Sequence, residues 1–196
     1  MYKRQEYNWN FIGADINPNS IESAKKIVNA NPSLKGKIDC KLQENSKDIF
    51  YGIIKRTDKI DLSICNPPFH SSAAEAKKGS LRKVNNLSGK KESNPTLNFA
   101  GVSNELYCDG GEAKFIQSMI KQSKKFSENC YWFSTLVSKQ SNLKGIYRQL
   151  EDLKATRAKT VAMGTGNKSS RIVVWTFLSK EEEQEWRTSR WGKNSN

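Results

Sequence analysis

The apolar positions switch period along the chain. Trp9-Asn10-Phe11-Ile12-Gly13-Ala14-Asp15 is a short apolar run that closes on an acid, as a strand does. Asn17-Pro18-Asn19-Ser20 then supplies helix-start chemistry, and Ile21, Ala24, Ile27 and Val28 recur at helical spacing until Asn31-Pro32 stops them. Ile38 to Leu42 alternates apolar and polar residues and predicts a second strand. Asp61-Leu62-Ser63-Ile64-Cys65 predicts a third, running straight into Asn66-Pro67-Pro68-Phe69. Strand, helix, strand and a further strand make an α/β pattern with a parallel sheet.

The second half continues the alternation. A helix is expected from about Gly110-Gly111-Glu112 to Ser127. Phe115, Ile116, Met119 and Ile120 form its buried stripe, and Lys121, Lys124 and Lys125 its solvated face. Tyr131 to Val137, rich in aromatic and β-branched residues, reads as a strand, and Leu143–Leu153 as a helix. Thr156–Met163 and Arg171–Leu178 read as an antiparallel hairpin turning at Gly164-Thr165-Gly166-Asn167. A charged helix with Trp186 and Trp191 is expected from Lys180 to about Arg190. Between these halves, residues 70–104 are polar and aperiodic. A segment of that length inside a compact domain marks a functional loop or a disordered one.

The length of 196 residues fits one domain, 1–196, and no internal repeat is visible. No apolar window is long enough for a membrane span, and the first residues do not form a secretory signal. Charge changes the picture more. Lys and Arg number 33 against 20 Asp and Glu, a net charge of +13. Such an excess points to a polyanionic partner, nucleic acid before a membrane surface. Lys77, Lys78, Arg82, Lys83, Lys90 and Lys91 concentrate part of it in the polar segment. Cys40, Cys65, Cys108 and Cys130 are dispersed and His70 is the only histidine, so no zinc site is expected and the thiols read as reduced and cytoplasmic.

The tetrapeptide Asn66-Pro67-Pro68-Phe69 carries the chemistry. Ligands of open α/β sheets bind beyond the carboxyl ends of strands, where this turn is predicted to lie. Two prolines remove two N–H donors and leave rigid carbonyl acceptors, Asn66 adds a side-chain acceptor, and Phe69 offers a flat ring. Together they suit a planar group that bears an NH2, such as a nucleobase whose amine lone pair is delocalised into the ring. Asn66 Oδ1 and the Pro67 carbonyl would each take one amine hydrogen and aim the lone pair at an electrophile. An activated methyl donor then needs neither metal nor strong base. Asp15 ends a strand before a helix, where α/β cofactor domains bind ribose hydroxyls; on its own it also reads as a surface acid.

At this point several segments resemble one family. Cys65-Asn66-Pro67-Pro68-Phe69-His70-Ser71-Ser72-Ala73-Ala74, Leu97-Asn98-Phe99 and Glu105 through Glu112 are similar to the bacterial large-subunit ribosomal RNA adenine-N6 methyltransferases called methyltransferase F. So are Trp132 through Lys139 and Ser170 through Phe177. A weaker resemblance extends to the eukaryotic methyltransferase-like-sixteen group. The resemblance implies a Rossmann-like, S-adenosylmethionine-dependent fold with a mostly parallel sheet and a C-terminal antiparallel hairpin. It implies catalytic roles for Asn66, Pro67, Pro68 and Phe69, with Asp15, Lys47 and Asn66 on the cofactor. It places Lys77, Lys78, Arg82, Lys83, Lys139 and Arg171 against ribosomal RNA. Family members carry a strand and a glycine-rich turn upstream of the position of Tyr7. No such turn precedes Asp15, so the first, central strand is expected to be absent and two strand edges to lie open.

Three other readings remain open. Guanine-N2 ribosomal RNA methyltransferases use similar motifs. A non-catalytic RNA-binding fragment would keep the charge without the chemistry. A protein glutamine methyltransferase shares an NPPY-type turn, which the basic charge disfavours.

Overall fold

A computed structural model describes residues 9–72, 108–165 and 168–192 of the chain. Two compact units divide it, Met1–Lys55 and Arg56–Asn196.

In the first unit, β1 (Phe11–Asp15) pairs in parallel with β2 (Ile38–Leu42), Phe11 opposite Ile38 and Asp15 opposite Leu42. Helix α1 (Pro18–Ala30) connects them. Asn17 caps it, its Oδ1 accepting from the N–H groups of Asn19 and Ser20, and Pro18 sits where a missing N–H costs nothing. Ile21 and Val28 are buried together with Leu34, Phe50 and Ile53. Ile27, expected on the same stripe, is exposed. Six residues after Ile21 the helix has turned well past that face, whereas seven bring Val28 back to it.

The second unit contains β3 (Ile60–Leu62), α2 (Gly111–Ser123), β4 (Cys130–Val137), α3 (Leu143–Asp152), β5 (Arg157–Thr165), β6 (Lys168–Thr176) and α4 (Lys180–Trp186). A 3₁₀ turn over Lys124–Phe126 follows α2, and another over Gln140–Asn142 precedes α3. The strand order is β3-β4-β6-β5. β3 runs parallel to β4, and β6 is antiparallel to both β4 and β5. The predicted hairpin is present but longer than its pattern suggested, with pairing continuing to Thr165 opposite Lys168.

Alternation along these strands separates the two faces of the sheet. Phe133, Val137, Val173 and Trp175 have no exposed surface. Their face meets α2, whose Ile116, Met119 and Ile120 are equally buried. The Phe133 and Trp175 rings stack at 5.9 Å, and Trp175 Nε1 donates to Ser123 Oγ at 3.0 Å, which satisfies the indole in the core. On the opposite face Leu62, Val161 and Met163 are exposed, as is Ile64 just beyond β3. Among the described residues, β1 pairs only with β2 and β3 only with β4, so one edge of each remains open.

The C-terminal helix is held by two acids. Glu183 is buried and accepts from Tyr131 Oη at 3.1 Å and from Arg157 Nη2 at 2.5 and 2.6 Å. Asp61 accepts from the indoles of Trp186 at 2.8 Å and Trp191 at 3.0 Å and pairs with Arg190 at 3.2 Å. Ser179 and Glu182 close a capping box at the start of α4. After Trp186 the helix widens into a π turn over Arg187–Trp191.

Candidate active site

β3 delivers the Asn66-Pro67-Pro68-Phe69 turn, and the missing proline N–H groups set where the strand stops. The Ser63 N–H donates to the Trp132 carbonyl at 2.8 Å, and the Cys65 N–H to Ser134 at 3.1 Å. The next donor in this alternation falls at Pro67, which has none, so the ladder to β4 ends there. Cys65 still bridges Thr135, and its carbonyl accepts from the Leu136 N–H at 2.9 Å. The turn therefore lies at the C-terminal end of a parallel strand pair, where α/β sheets bind ligands.

Pro67 is fully buried, Asn66 is exposed, and Pro68 and Phe69 are half-buried. The rigid part of the turn is anchored in protein while the amide of Asn66 reaches solvent. Burial, partly offset by a hydrogen bond from Thr135, pushes the Cys65 thiol up to about 11. At neutral pH that thiol is protonated, so the sulfur next to the turn is no nucleophile.

Phe69 opens onto a cleft of about 140 Å³ that Ser71, Gly111, Lys139 and Asn142 also line. Helix α2 starts against this cleft. Gly110 and Gly111 have φ of 77° and 62°, the left-handed region that glycine enters at no steric cost. A Cβ on Gly111 would stand 3.2 Å from the Ser71 N and 3.3 Å from the His70 carbonyl carbon. The Cys108 N–H donates to the His70 carbonyl at 3.0 Å, and the Gly111 N–H to Cys108 at 2.9 Å, so the chain just after Phe69 is tied to the first residues of α2.

The sequence places Glu112 at a helix start and in a segment that resembles the family, without assigning it a role at the site. It is 2% exposed. Its Oε1 accepts from the Ser138 N–H at 2.6 Å, and its Oε2 from the Lys139 N–H at 3.3 Å and from Asn142 Nδ2 at 2.6 Å. An acid in a first helical turn ordinarily signals dipole compensation. Only the tertiary contacts reveal its link to residues at positions 138–142.

The other expected site residues fall in several places. Asp15, in the first unit, is half-buried at the C-terminal end of β1, and its Oδ1 accepts from the Asn17 N–H at 2.7 Å. Its carbonyl takes the Gln43 N–H at 2.8 Å, and Gln43 in turn donates Nε2 to Tyr51 at 2.8 Å and accepts the Asn45 N–H at 3.1 Å. Lys47 is exposed on the loop so ordered, its N–H on Asn45 Oδ1 at 3.1 Å. Lys139 is exposed on the cleft rim. Arg171 is 8% exposed, in register between Val137 at the end of β4 and Ala162 of β5. Lys77, Lys78, Arg82 and Lys83, with the whole expected substrate loop from Ala73 onward, lie outside the described residues.

Among the described residues no helix is long and apolar enough to cross a membrane, and no group of three or more His, Cys, Asp or Glu is placed to hold a metal ion.

The chain is 52% identical over 186 residues to the ribosomal RNA large subunit methyltransferase F of Cytophaga hutchinsonii, covering 95% of this chain and 58% of that protein. It is 49% identical to the protein of the same name from Photobacterium profundum, covering 94% and 60%. The chain thus spans somewhat under two thirds of the length of these relatives. Among solved structures, the hMettl16 catalytic domain in complex with MAT2A 3'UTR hairpin 1 superposes with a TM-score of 0.74 at 21% identity, over 91% of this chain and 59% of that one. The N-terminal domain of human METTL16 in complex with SAH gives 0.63 at 18% identity, over 91% and 56%. The mixed α/β fold is therefore that of a methyltransferase domain. A family profile described as RNA methyltransferase matches residues 1–179, and the chain belongs to that family.

Proposed function

We propose that this chain carries the catalytic turn of an S-adenosylmethionine-dependent enzyme that methylates the N6 amine of an adenine in large-subunit (23S) ribosomal RNA, in the cytoplasm. The observation that carries the reading is the Asn66–Phe69 turn, with Pro67 buried, Asn66 exposed, and the phenyl ring on a cleft beyond the end of β3. The names of the relatives support ribosomal RNA as the substrate. The hairpin and SAH complexes of structural neighbours support an RNA ligand and the cofactor.

S-adenosylmethionine, when bound, supplies a methyl group already activated on a sulfonium sulfur. The residues present fit its ribose side. Asp15 spends Oδ1 on the Asn17 N–H, while Oδ2 takes none of the hydrogen bonds among the described residues and can accept from a hydroxyl. Lys47 and Asn66 are the further residues we assign to cofactor contacts.

A target adenine must leave its stack to reach such a site. Phe69 then stacks on the base, and Asn66 Oδ1 and the Pro67 carbonyl each accept one hydrogen of the amine. Holding both hydrogens draws the nitrogen toward tetrahedral geometry and directs its lone pair outward. The nitrogen gives up a proton only after it has bonded to carbon, so no strong base is required. That proton departs along the hydrogen bond to Asn66, which is open to water. Lys139 and the lysines of the 70–104 segment engage phosphates, with an affinity that salt weakens.

The test is methyl transfer from labelled S-adenosylmethionine to RNA, with RNA affinity measured in parallel. Asn66→Ala is expected to abolish transfer and leave RNA affinity nearly unchanged. Loss of RNA binding as well would remove Asn66 from the assigned role. RNAs containing a single kind of purine decide the base, since methylation of a guanine-only RNA would move the reaction to N2 of guanine.

A further inference from the structure

Glu112 joins three pieces of backbone that the sequence keeps far apart. Its own first helical turn packs on His70 and Ser71 through Gly111, just after Phe69. Its carboxylate holds the N–H groups of Ser138 and Lys139 and the Asn142 side chain. Phe69, Glu112, Lys139 and Asn142 border one cleft.

A carboxylate this deeply buried is costly unless its oxygens are occupied, and here three N–H donors occupy them. A glutamine at this position would turn an NH2 toward donors, and a leucine would leave all three N–H groups unsatisfied. The local fold thus spends an acid on fixing the backbone from which the Lys139 side chain projects.

We infer that Glu112 is a positioning residue for RNA: it fixes the backbone that carries Lys139 at the rim of the Phe69 cleft, so that one phosphate and one base can be held together. This rests on the reading of the chain as an RNA methyltransferase. The sign of the charge effect separates it from simple electrostatics. Glu112→Gln removes a negative charge from a protein that binds a polyanion, which by itself would tighten binding. A positioning role predicts weaker binding.

Filter binding of a short adenine-containing RNA hairpin to the full chain, across a range of salt concentrations, tests the inference. Lys139→Ala is expected to reduce the slope of log K against log salt by about 1, the loss of one phosphate contact. Glu112→Gln is expected to weaken binding and reduce the slope by the same amount, with no further reduction when added to Lys139→Ala. Asn142→Ala, which removes one donor and no charge, is expected to move both quantities in the same direction by less, and it serves if Glu112→Gln does not fold. A purely structural role would lower the fraction of active protein and leave the slope intact. Unchanged or tighter binding by Glu112→Gln, an unchanged slope, or additive effects with Lys139→Ala overturn the inference alone. A wild-type chain that binds no RNA overturns both it and the proposed function.

Discussion

Gly111 shows how little freedom single positions around the cleft have. Its φ of 62° lies in the left-handed region, and its missing Cβ makes room for the backbone of His70 and Ser71. Both constraints act on any substitution. Gly111→Ala is expected to cost about 1–3 kcal/mol, read as a lower urea midpoint at unchanged m-value. Gly110 shares the left-handed φ, and a Cβ there would stand 2.6 Å from the Lys114 Cβ, whose place the helix backbone fixes. Gly110→Ala is therefore expected to cost at least as much as Gly111→Ala. Asn66 and Glu112 stand under the opposite kinds of constraint. The first is exposed and available to a ligand; the second is buried and fully engaged by the protein.

Among the elements, the C-terminal segment depends on Glu183 near the middle of α4 and on Asp61 at its far end. Asp61 gathers Trp186, Trp191 and Arg190 onto β3. Burial alone would raise its pKa, but the hydrogen bonds from Arg190 and the two indoles outweigh burial and hold the carboxyl below its ordinary value. A folded-state pKa below the unfolded one stabilises the ionised, docked form. That contribution is complete above the unfolded pKa and is lost as pH falls through the folded pKa. Acidification below about pH 4 is therefore expected to release α4 and the π turn, seen as a red shift of tryptophan emission. Asp61→Asn is expected to show the released spectrum already at neutral pH and no transition in that acidic range. A spectrum unchanged by Asp61→Asn would mean that the segment docks without that carboxylate.

For the whole molecule, the asymmetry of the four-stranded sheet governs stability. Phe133 has no exposed surface, whereas Val161, on the other face, is 43% exposed. Phe133→Ala is expected to cost about 3–5 kcal/mol of unfolding free energy, because it leaves a cavity beside Trp175. Val161→Thr is expected to stay within about 0.5 kcal/mol of the parent. Equal effects in a denaturant titration would mean that the two faces are equally covered in solution. Among the described residues, one edge of β3 is unpaired, and the exposed Leu62 and Ile64 lie on or just beyond that strand.

Local chemistry was enough to read most elements from the chain itself. Asn17-Pro18 starts α1, alternation marks β2, aromatic and β-branched residues mark β4, and the turn residues near Gly164 announce the hairpin, because each depends on neighbours a few residues away. The Asn66–Phe69 turn was legible for the same reason: paired prolines end a strand wherever they occur. Long-range packing had to supply the rest. Ile27 and Val28 look alike in sequence, yet only Val28 is buried, because the angular position on the helix decides which residue meets the core. Arg171 reads as a surface cation, yet it lies on the same buried face of β6 as Val173 and Trp175. Glu112 reads as a helix-start acid, and its partners lie 26 to 30 residues further along. Periodicity and turn chemistry thus suffice for elements and for the place of the Asn66–Phe69 turn. Which side chains surround that turn depends on contacts that no local pattern encodes, since they form only when distant segments pack.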